Sequence, residues 1–219
     1  MFSAFFPIFF TMFIVVDPIG LVPLFIGLTS RIPTKKRRGI ISKAVLISLI
    51  VLISFVFVGK RLLELLHIQP GSFFIAGGIM LFIISLEMLF GKPSQTKVSD
   101  KEHTDHTHDN VKTIAIFPLA IPMLAGPGAL TTIILYSGRY VAGGREFSFY
   151  ELAFMLVIAI ILVLVIAGLF LRASDLILRV LGETGVSVME RLMGLILAGL
   201  SIQFVYDGIV RLGFFPGLV

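Results

Sequence analysis

The sequence predicts an all-α, polytopic membrane protein whose six transmembrane helices form a three-plus-three inverted repeat with two broken helices. Hydrophobic residues make up 57% of the 219 positions and charged residues 14%. In a soluble domain, about 45–50% of the residues are hydrophobic and about 25% are charged. The mean hydropathy of +1.04 agrees with a chain that lies largely within lipid. Several apolar runs are long enough to cross a bilayer, and proline and glycine interrupt two of them.

Each predicted span is a long apolar stretch. A spanning helix needs about 20 such residues. The stretches are apolar on all sides, unlike the period-two alternation of a membrane β-barrel. The predicted spans are residues 3–28, 44–66, 71–91, 113–137, 152–171 and 192–210.

The distribution of lysine and arginine predicts the orientation. Of the 18 basic residues, 13 fall after spans one, three and five, and the remaining 5 fall on the other side. Basic residues accumulate in cytoplasmic loops, so we expect the first set inside and both termini outside. The net charge of +5 therefore reflects topology and gives no reason to expect a nucleic-acid partner.

The spans divide into two halves. Residues 1–91 form the first predicted repeat, 92–112 a polar cytoplasmic loop expected to be disordered, and 113–219 the second repeat. A shift of 116 positions places residues 73–91 on 189–207 and aligns Gly78 with Gly194, Ser85 with Ser201, and Glu87 with Gln203. Each half has three spans, so the second must enter the membrane inverted. Chance similarity between apolar helices is the alternative interpretation.

The first span of each half contains a break. Residues 17–20 read Asp-Pro-Ile-Gly and residues 126–128 read Gly-Pro-Gly. Matched breaks in inverted halves are typical of secondary transporters, which bind solute where the breaks meet. Asp17 followed by Pro18 predicts an N-cap and a first helical residue. Two half-helix N-termini would together suit a carboxylate.

Two acidic residues in the spans are candidates for proton coupling. Asp17 lies about 14 residues into the first span, or about 20 Å deep, where a carboxylate is costly and indicates function. Its alternative role is a plain helix cap. Glu87 either lines a pore or extends to the nearby interface. Ser85, Ser201 and Gln203 are candidates for polar contacts with a solute or between helices.

Several function classes lack support in the sequence. The chain has no cysteine, and it contains no G-x-S-x-G, H-E-x-x-H or phosphate-binding glycine loop. We therefore expect no enzyme activity and no cofactor. Residues 102–109, EHTDHTHD, contain three histidines and three acids, but their spacing matches no specific metal site. A solvated loop is the favoured interpretation, so no metal site is predicted.

Two motifs in the sequence resemble those of a known family. The stretches FIVVDPIGLVPLF (13–25) and PLAIPMLAGPGALTT (118–132), with six spans and a polar middle loop, resemble the MarC family of integral membrane proteins. The resemblance implies a prokaryotic inner-membrane location and transport of small neutral amino acids such as glycine and alanine. Mapped onto these motifs, it implies a substrate-binding set of Asp17, Pro18, Gly20, Pro23, Gly126, Pro127, Gly128, Thr131 and Thr132.

The leading hypothesis is a secondary transporter of small neutral amino acids, with proton coupling as a further option. Its predicted partners are a small-molecule substrate and the lipid bilayer, and homo-oligomerisation stays open. The alternatives are a passive channel or ion permease on the same scaffold, and a non-transporting membrane interaction protein in which the breaks serve packing.

Overall fold

The computed structural model describes residues 2–29, 32–91, 115–137, 140–142 and 145–213. Helices account for nearly all of them, which confirms the all-α prediction. The polar loop 92–112, with its histidine-rich segment, lies outside the described residues. The division of the chain into two inverted repeats stays a prediction.

The described residues form eight helices and one short ribbon. They are α1 (Phe2–Val16), α2 (Leu21–Thr29), α3 (Thr34–Leu65), α4 (Pro70–Phe90), α5 (Ala115–Leu124), α6 (Pro127–Ser137), β1 (Tyr140–Ala142), β2 (Arg145–Phe147), α7 (Phe149–Arg172) and α8 (Ser174–Arg211).

The six predicted spans are confirmed. Within the described residues, six helices or helix pairs are long and apolar enough to cross a membrane. They are Ala4–Thr29, Thr34–Leu65, Pro70–Phe90, Leu119–Ser137, Phe149–Arg172 and Thr184–Arg211. The first is the pair α1 and α2, and the fourth comprises α6 with the last part of α5, so the two broken helices are also confirmed.

Two spans begin earlier than predicted. The second starts at Thr34 instead of residue 44, and the sixth at Thr184 instead of 192. Lysine and arginine are good helix formers, and their long side chains can carry charge to the interface while the backbone stays helical. The basic residues 35–43 therefore extend α3 instead of forming a loop. Gly182, at φ 66°, interrupts α8 just before the sixth span.

The connection before α7 contains structure that the sequence analysis did not predict. β1 and β2 form an antiparallel ribbon in which Tyr140 pairs with Phe147. α7 then begins with a capping box, in which the Glu151 N–H donates to the Ser148 hydroxyl at 3.4 Å and the Ser148 N–H donates to the Glu151 carboxylate at 2.9 Å. These reciprocal bonds define where the fifth span starts.

Helices α4 and α8 pack closely because small residues face each other along their contact. The close contacts pair Gly71 with Gly208, Gly78 with Ser201, and Gly194 with Ser85. A Cβ on Gly78 would lie 2.7 Å from the Ser201 carbonyl oxygen, and one on Gly194 would lie 3.1 Å from that of Ser85. Helices in lipid associate through such van der Waals packing, since no hydrophobic effect draws them together there.

We expect Gly78→Ala to destabilise the protein and Gly199→Ala to leave it at least as stable as the native chain. Both substitutions improve helix propensity equally. Only the first adds a methyl group against a backbone carbonyl, because nothing lies within 4 Å of a Cβ on Gly199. Overpacking of this kind costs about 1–3 kcal/mol. Thermal unfolding in detergent would measure the difference, and equal stabilities would contradict the close packing.

Two polar contacts hold the basic start of α3 beside the junction of α7 and α8. Arg37 forms a salt bridge with Asp175 at 3.1 Å. The Arg172 guanidinium donates to the Ser42 hydroxyl at 3.2 Å. Two of the basic clusters on which the orientation prediction rests therefore lie at the same end of the molecule. The assignment of that end to the cytoplasm stays a prediction.

Single-cysteine labelling tests the orientation, because the native chain has no cysteine. Lys35→Cys and Tyr150→Cys place exposed thiols at opposite ends of the structure. We expect a membrane-impermeant maleimide to label position 150 in intact spheroplasts and position 35 only in inverted vesicles, because basic residues are retained in the cytoplasm. The reverse pattern would show that the termini face inward.

Candidate functional site

The first helix break is organised by Asp17. Its backbone has φ 47°, a left-handed conformation that ends α1. Its N–H donates to the Phe13 carbonyl at 3.0 Å, and its carbonyl accepts from the Leu21 N–H at 3.1 Å. Its carboxylate Oδ1 accepts from the Gly20 N–H at 3.1 Å, as predicted for a cap. The helix α2 begins only at Leu21, so Pro18 lies in the turn and is not the first helical residue that the sequence predicted. A Cβ at position 20 would collide with the Asp17 carboxylate, so the turn requires glycine.

The segment before the second break is less regular than predicted. Phe117 (φ −132°, ψ 128°) and Ile121 (φ −130°, ψ 123°) are extended residues inside α5. The Ala125 N–H donates to the Ala120 carbonyl at 2.8 Å, one residue further back than in an α-helix. Prolines in this segment lack the N–H that a regular helix needs, which explains its irregular course. The fourth span is therefore disturbed over several residues and not only at its Gly-Pro-Gly motif.

The second break ends where α6 begins at Pro127, within the predicted motif. The Leu130 N–H donates to the Gly126 carbonyl at 3.1 Å, so Gly126 occupies the cap position. The Gly128 and Ala129 N–H groups belong to the first helical turn, which has no acceptor within its own helix. Unpaired donors and the positive end of a helix dipole favour a nearby anionic group.

One cavity of about 310 Å³ lies between the two breaks. Its wall includes six of the residues proposed from the sequence: Asp17, Gly20, Glu87, Gly126, Pro127 and Gly128. The two motifs are more than 100 positions apart in the chain, and the fold brings them to the same space. Glu87 is half-buried and belongs to this wall, and its role in a pore or at the interface stays a prediction.

The cavity combines an apolar wall with a few charged or dipolar groups. Asp17 is only 9% exposed, and its Oδ2 has no hydrogen-bond partner among the described residues. The carboxylates of Asp17 and Glu87 come from α1–α2 and α4, and the α6 N-terminus supplies N–H donors. The site therefore presents both hydrogen-bond acceptors and donors within a small apolar space.

Four residues implied by the family motifs do not line the cavity. Pro18 and Pro23 lie within the first break and the first turn of α2. Thr131 and Thr132 are buried, and their hydroxyls donate to the Pro127 and Gly128 carbonyls at 2.8 and 2.9 Å. In an apolar interior a threonine hydroxyl bonds the nearest carbonyl of its own helix. These threonine hydroxyls accordingly bond carbonyls at the start of α6, and their role in binding a solute stays a prediction.

The three predicted polar contacts also lie outside the cavity wall. Ser85 donates to the Phe82 carbonyl at 2.7 Å, and Ser201 donates to the Ala198 carbonyl at 2.6 Å. Gln203 is exposed and donates to the Asp207 carboxylate at 2.7 Å. The serines belong to the α4–α8 contact, and Gln203 forms a bond along its own helix.

Sequence analysis missed most of the apolar wall. The missed residues are Val15, Val16, Leu21, Leu24, Leu28, Met80, Leu81, Ile83, Ile84, Pro122, Met123, Ala129 and Leu197. Several are neighbours of the two motifs, and that proximity is a usable signal. The wall residues on α4 and α8 give no such signal in the sequence, because apolar residues that face lipid and apolar residues that face a cavity look alike in a single sequence.

A second cavity of about 150 Å³ lies at the other end of α6. Its wall includes Lys60, Glu64, Ser137 and Arg211, and it shares no lining residue with the first cavity. The Arg211 guanidinium also lies 4.7 Å from the centre of the buried Phe74 ring. The two cavities thus lie at opposite ends of α6.

Sequence comparison with known families agrees with this architecture. The model of the MarC family of integral membrane proteins matches residues 2–212. The chain belongs to the MarC family. Related proteins include the UPF0056 membrane protein YhcE of Escherichia coli, which is 35% identical over 218 residues, covering 100% of this chain and 96% of YhcE.

Relatives from archaea are about as similar to this chain as the Escherichia coli protein is. A UPF0056 membrane protein of Pyrococcus abyssi is 34% identical over 198 residues, which is 90% of each chain. One from Archaeoglobus fulgidus is 35% identical over 210 residues, 95% of this chain and 93% of the relative. No solved structure matches. The resemblance predicted from the two Pro/Gly motifs is therefore confirmed.

Two substitutions separate the capping role of Asp17 from its charge. Asparagine keeps an oxygen for the Gly20 N–H and tolerates a left-handed backbone, whereas alanine does neither. We expect Asp17→Ala to unfold at lower temperature than Asp17→Asn, with a difference of about 1 kcal/mol in unfolding free energy. Thermal unfolding in detergent would measure it. Equal stability of the two variants would contradict the cap.

Proposed function

We propose that the protein is a secondary transporter of a small neutral amino acid, such as glycine or alanine, bound between the two helix breaks. The observation that carries this proposal is the single cavity whose wall includes Asp17 and Gly20 from one break and Gly126 to Gly128 from the other. Solute sites of secondary transporters are formed by such discontinuous helices.

The site chemistry suits a zwitterion. The N–H groups of Gly128 and Ala129 and the dipole of α6 would receive the amino-acid carboxylate. The Asp17 carboxylate, with Oδ1 held by Gly20, has Oδ2 left for the ammonium group. Glu87 offers a second acceptor in the same wall. Charge-assisted hydrogen bonds of this kind are about twice as strong as neutral ones.

The size and lining of the cavity favour a compact, uncharged side chain. Its volume of about 310 Å³ is at the small end of ligand pockets, which span about 300–1,000 Å³. Leu21, Leu81 and Met123 in the wall offer no partner for a polar side chain. Burying an unpaired polar group there would cost about 1–3 kcal/mol, which favours glycine or alanine over longer polar amino acids.

The two cavities support an alternating-access mechanism. The main cavity extends from the breaks to Leu28 and Glu87, near the end of the molecule where α3 begins. Leu81 and Val15 fill the space beside Gly128 and close the packing between the half-helices. We assign this conformation to the state open toward the cytoplasm. Rocking of the α4–α8 pair would transfer access to the cavity at the other end.

Asp17 is the proposed proton carrier, and Glu87 is the second candidate. A proton on Asp17 and the ammonium group of the solute would compete for the same carboxylate. The carboxylate would therefore carry solute in one direction and a proton in the other, taking up the proton on the side where the solute leaves and releasing it on the opposite side, which couples flux to the proton gradient. Ionisable residues at membrane depth that face a cavity are typical of proton relays.

Counterflow in proteoliposomes tests the proposal. Vesicles loaded with alanine should exchange it saturably for labelled alanine or glycine outside. We expect Asp17→Asn to lose accumulation driven by an imposed pH gradient and to need about tenfold more alanine for half-maximal exchange, because one charge-assisted contact is worth about 1.5–3 kcal/mol. Asp207→Asn is the matched control, since Asp207 bonds Gln203 outside the cavity.

Other outcomes would contradict the proposal. Flux that does not saturate, together with electrical conductance, would identify a channel or ion permease. The absence of any flux from folded protein, with Asp17→Asn and Gly128→Ala altering only stability, would identify a non-transporting membrane protein. Gradient-driven accumulation that persists in Asp17→Asn and fails in Glu87→Gln would assign the coupling to α4.

A further inference from the structure

A second binding feature lies on the outer surface of the helix bundle, apart from the proposed solute site. A groove of about 300 Å³ runs between α3 and α7. Ile41, Val45 and Leu49 line it on α3, and Leu164 and Gly168 line it on α7. Arg172 lies at one end. The groove shares no lining residue with either of the two cavities described above.

The groove exists because α7 lacks a side chain where it faces α3. A Cβ on Gly168 would lie 3.4 Å from Val45 and 4.0 Å from Ile41, which are ordinary contact distances. Leu46 and Leu169 form its rims and are more than half exposed. The missing side chain at Gly168 thus leaves a groove that is open to the surrounding lipid and has a leucine on each rim.

The dimensions and polarity of the groove suit an acyl chain. Its α3 wall runs from Ile41 to Leu49, a rise of about 12 Å along the helix. Seven of its ten lining residues have aliphatic side chains, and the other three are Ser42, Gly168 and Arg172. Both helices are membrane spans, so the material that meets this surface in a bilayer is lipid. The groove is long enough to hold the half of one acyl chain that lies next to the headgroup.

The polar end of the groove carries positive charge. The Arg172 guanidinium donates to the Ser42 hydroxyl at 3.2 Å, which fixes it above the apolar wall. Arg38 lies four residues before Ser42 on α3, so it shares that helix face. The nearby acid, Asp175, is neutralised by its salt bridge with Arg37 at 3.1 Å. The headgroup end of the groove is therefore cationic.

We propose that the groove binds one anionic diacyl phospholipid, with an acyl chain against Gly168 and its phosphate on Arg172. Basic residues at the end of a groove between membrane helices bind anionic headgroups, and arginine can hold a phosphate with two parallel hydrogen bonds. Charge complementarity selects this lipid over a zwitterionic one, in which the choline group would lie among the same cations. This inference does not depend on the identity of the transported solute.

Native mass spectrometry of the detergent-solubilised protein, with added phosphatidylglycerol or phosphatidylcholine, tests the proposal. We expect the native chain to retain one phosphatidylglycerol and to bind phosphatidylcholine about five- to tenfold more weakly, since each arginine near the headgroups contributes about one kcal/mol. Arg172→Gln should abolish the preference between the two lipids. Arg179→Gln, an exposed arginine outside the groove, should preserve it.

A second pair of variants tests the apolar part. Gly168→Leu should fill the groove and reduce the retention of both lipids, whereas Gly199→Leu, where nothing lies within 4 Å of an added Cβ, should leave retention unchanged. Unfolding temperatures without lipid would verify that both variants are folded. If Gly168→Leu loses lipid only because it unfolds, Gly168→Ala, whose added methyl meets ordinary contacts, should still weaken retention measurably.

Three results would overturn the proposal. Equal retention of the two lipids by the native chain would remove the headgroup selectivity. An unchanged preference in Arg172→Gln would place the selective site elsewhere. A native dimer that dissociates in Gly168→Leu would show that a second copy of the chain occupies the groove.

Discussion

The rest of this structure depends on how helix breaks are tolerated inside a membrane. A backbone N–H or carbonyl without a partner in hydrocarbon costs several kcal/mol, so a broken helix survives only where protein or a water-filled cavity receives the freed groups. Asp17 meets this requirement on one side by capping the Gly20 N–H at 3.1 Å. At α6, the Gly128 and Ala129 donors lie beside the cavity. The cavity is therefore a consequence of the breaks.

The packing of α4 against α8 determines the other wall of the cavity. Glycine and serine at the α4–α8 contact let the backbones approach so closely that an added methyl on Gly78 or Gly208 would lie within 3 Å of a facing carbonyl oxygen. This contact positions Leu81 and Glu87 opposite the breaks. The hydroxyls near it, Ser85 and Ser201, bond their own helices. The polar groups in the cavity wall are therefore carboxylates and backbone donors.

Sequence alone predicted the parts of this architecture that follow from strong local rules. Long apolar runs predicted the six spans. Asp17, Pro18 and Gly126 to Gly128 predicted both breaks, because proline and glycine interrupt a regular helix. The proposed solute contacts of Thr131 and Ser201 gain no support, because both hydroxyls donate to carbonyls of their own helices and neither residue lines the cavity. Sequence alone missed the wall residues of α4 and α8, since the side of a uniformly apolar helix that faces the cavity is decided by tertiary packing.

The central claim is that a small amino acid occupies the space between the two breaks. Leu24 lines that space one turn beyond Gly20 and is 40% exposed, and the native chain has no cysteine. The most direct measurement is the alkylation rate of a Leu24→Cys variant in inverted vesicles, with and without saturating alanine, against Lys35→Cys as a solvent-exposed control. We expect alanine to slow alkylation at position 24 and to leave the rate at position 35 unchanged. Equal rates at position 24 with and without alanine would contradict the central claim.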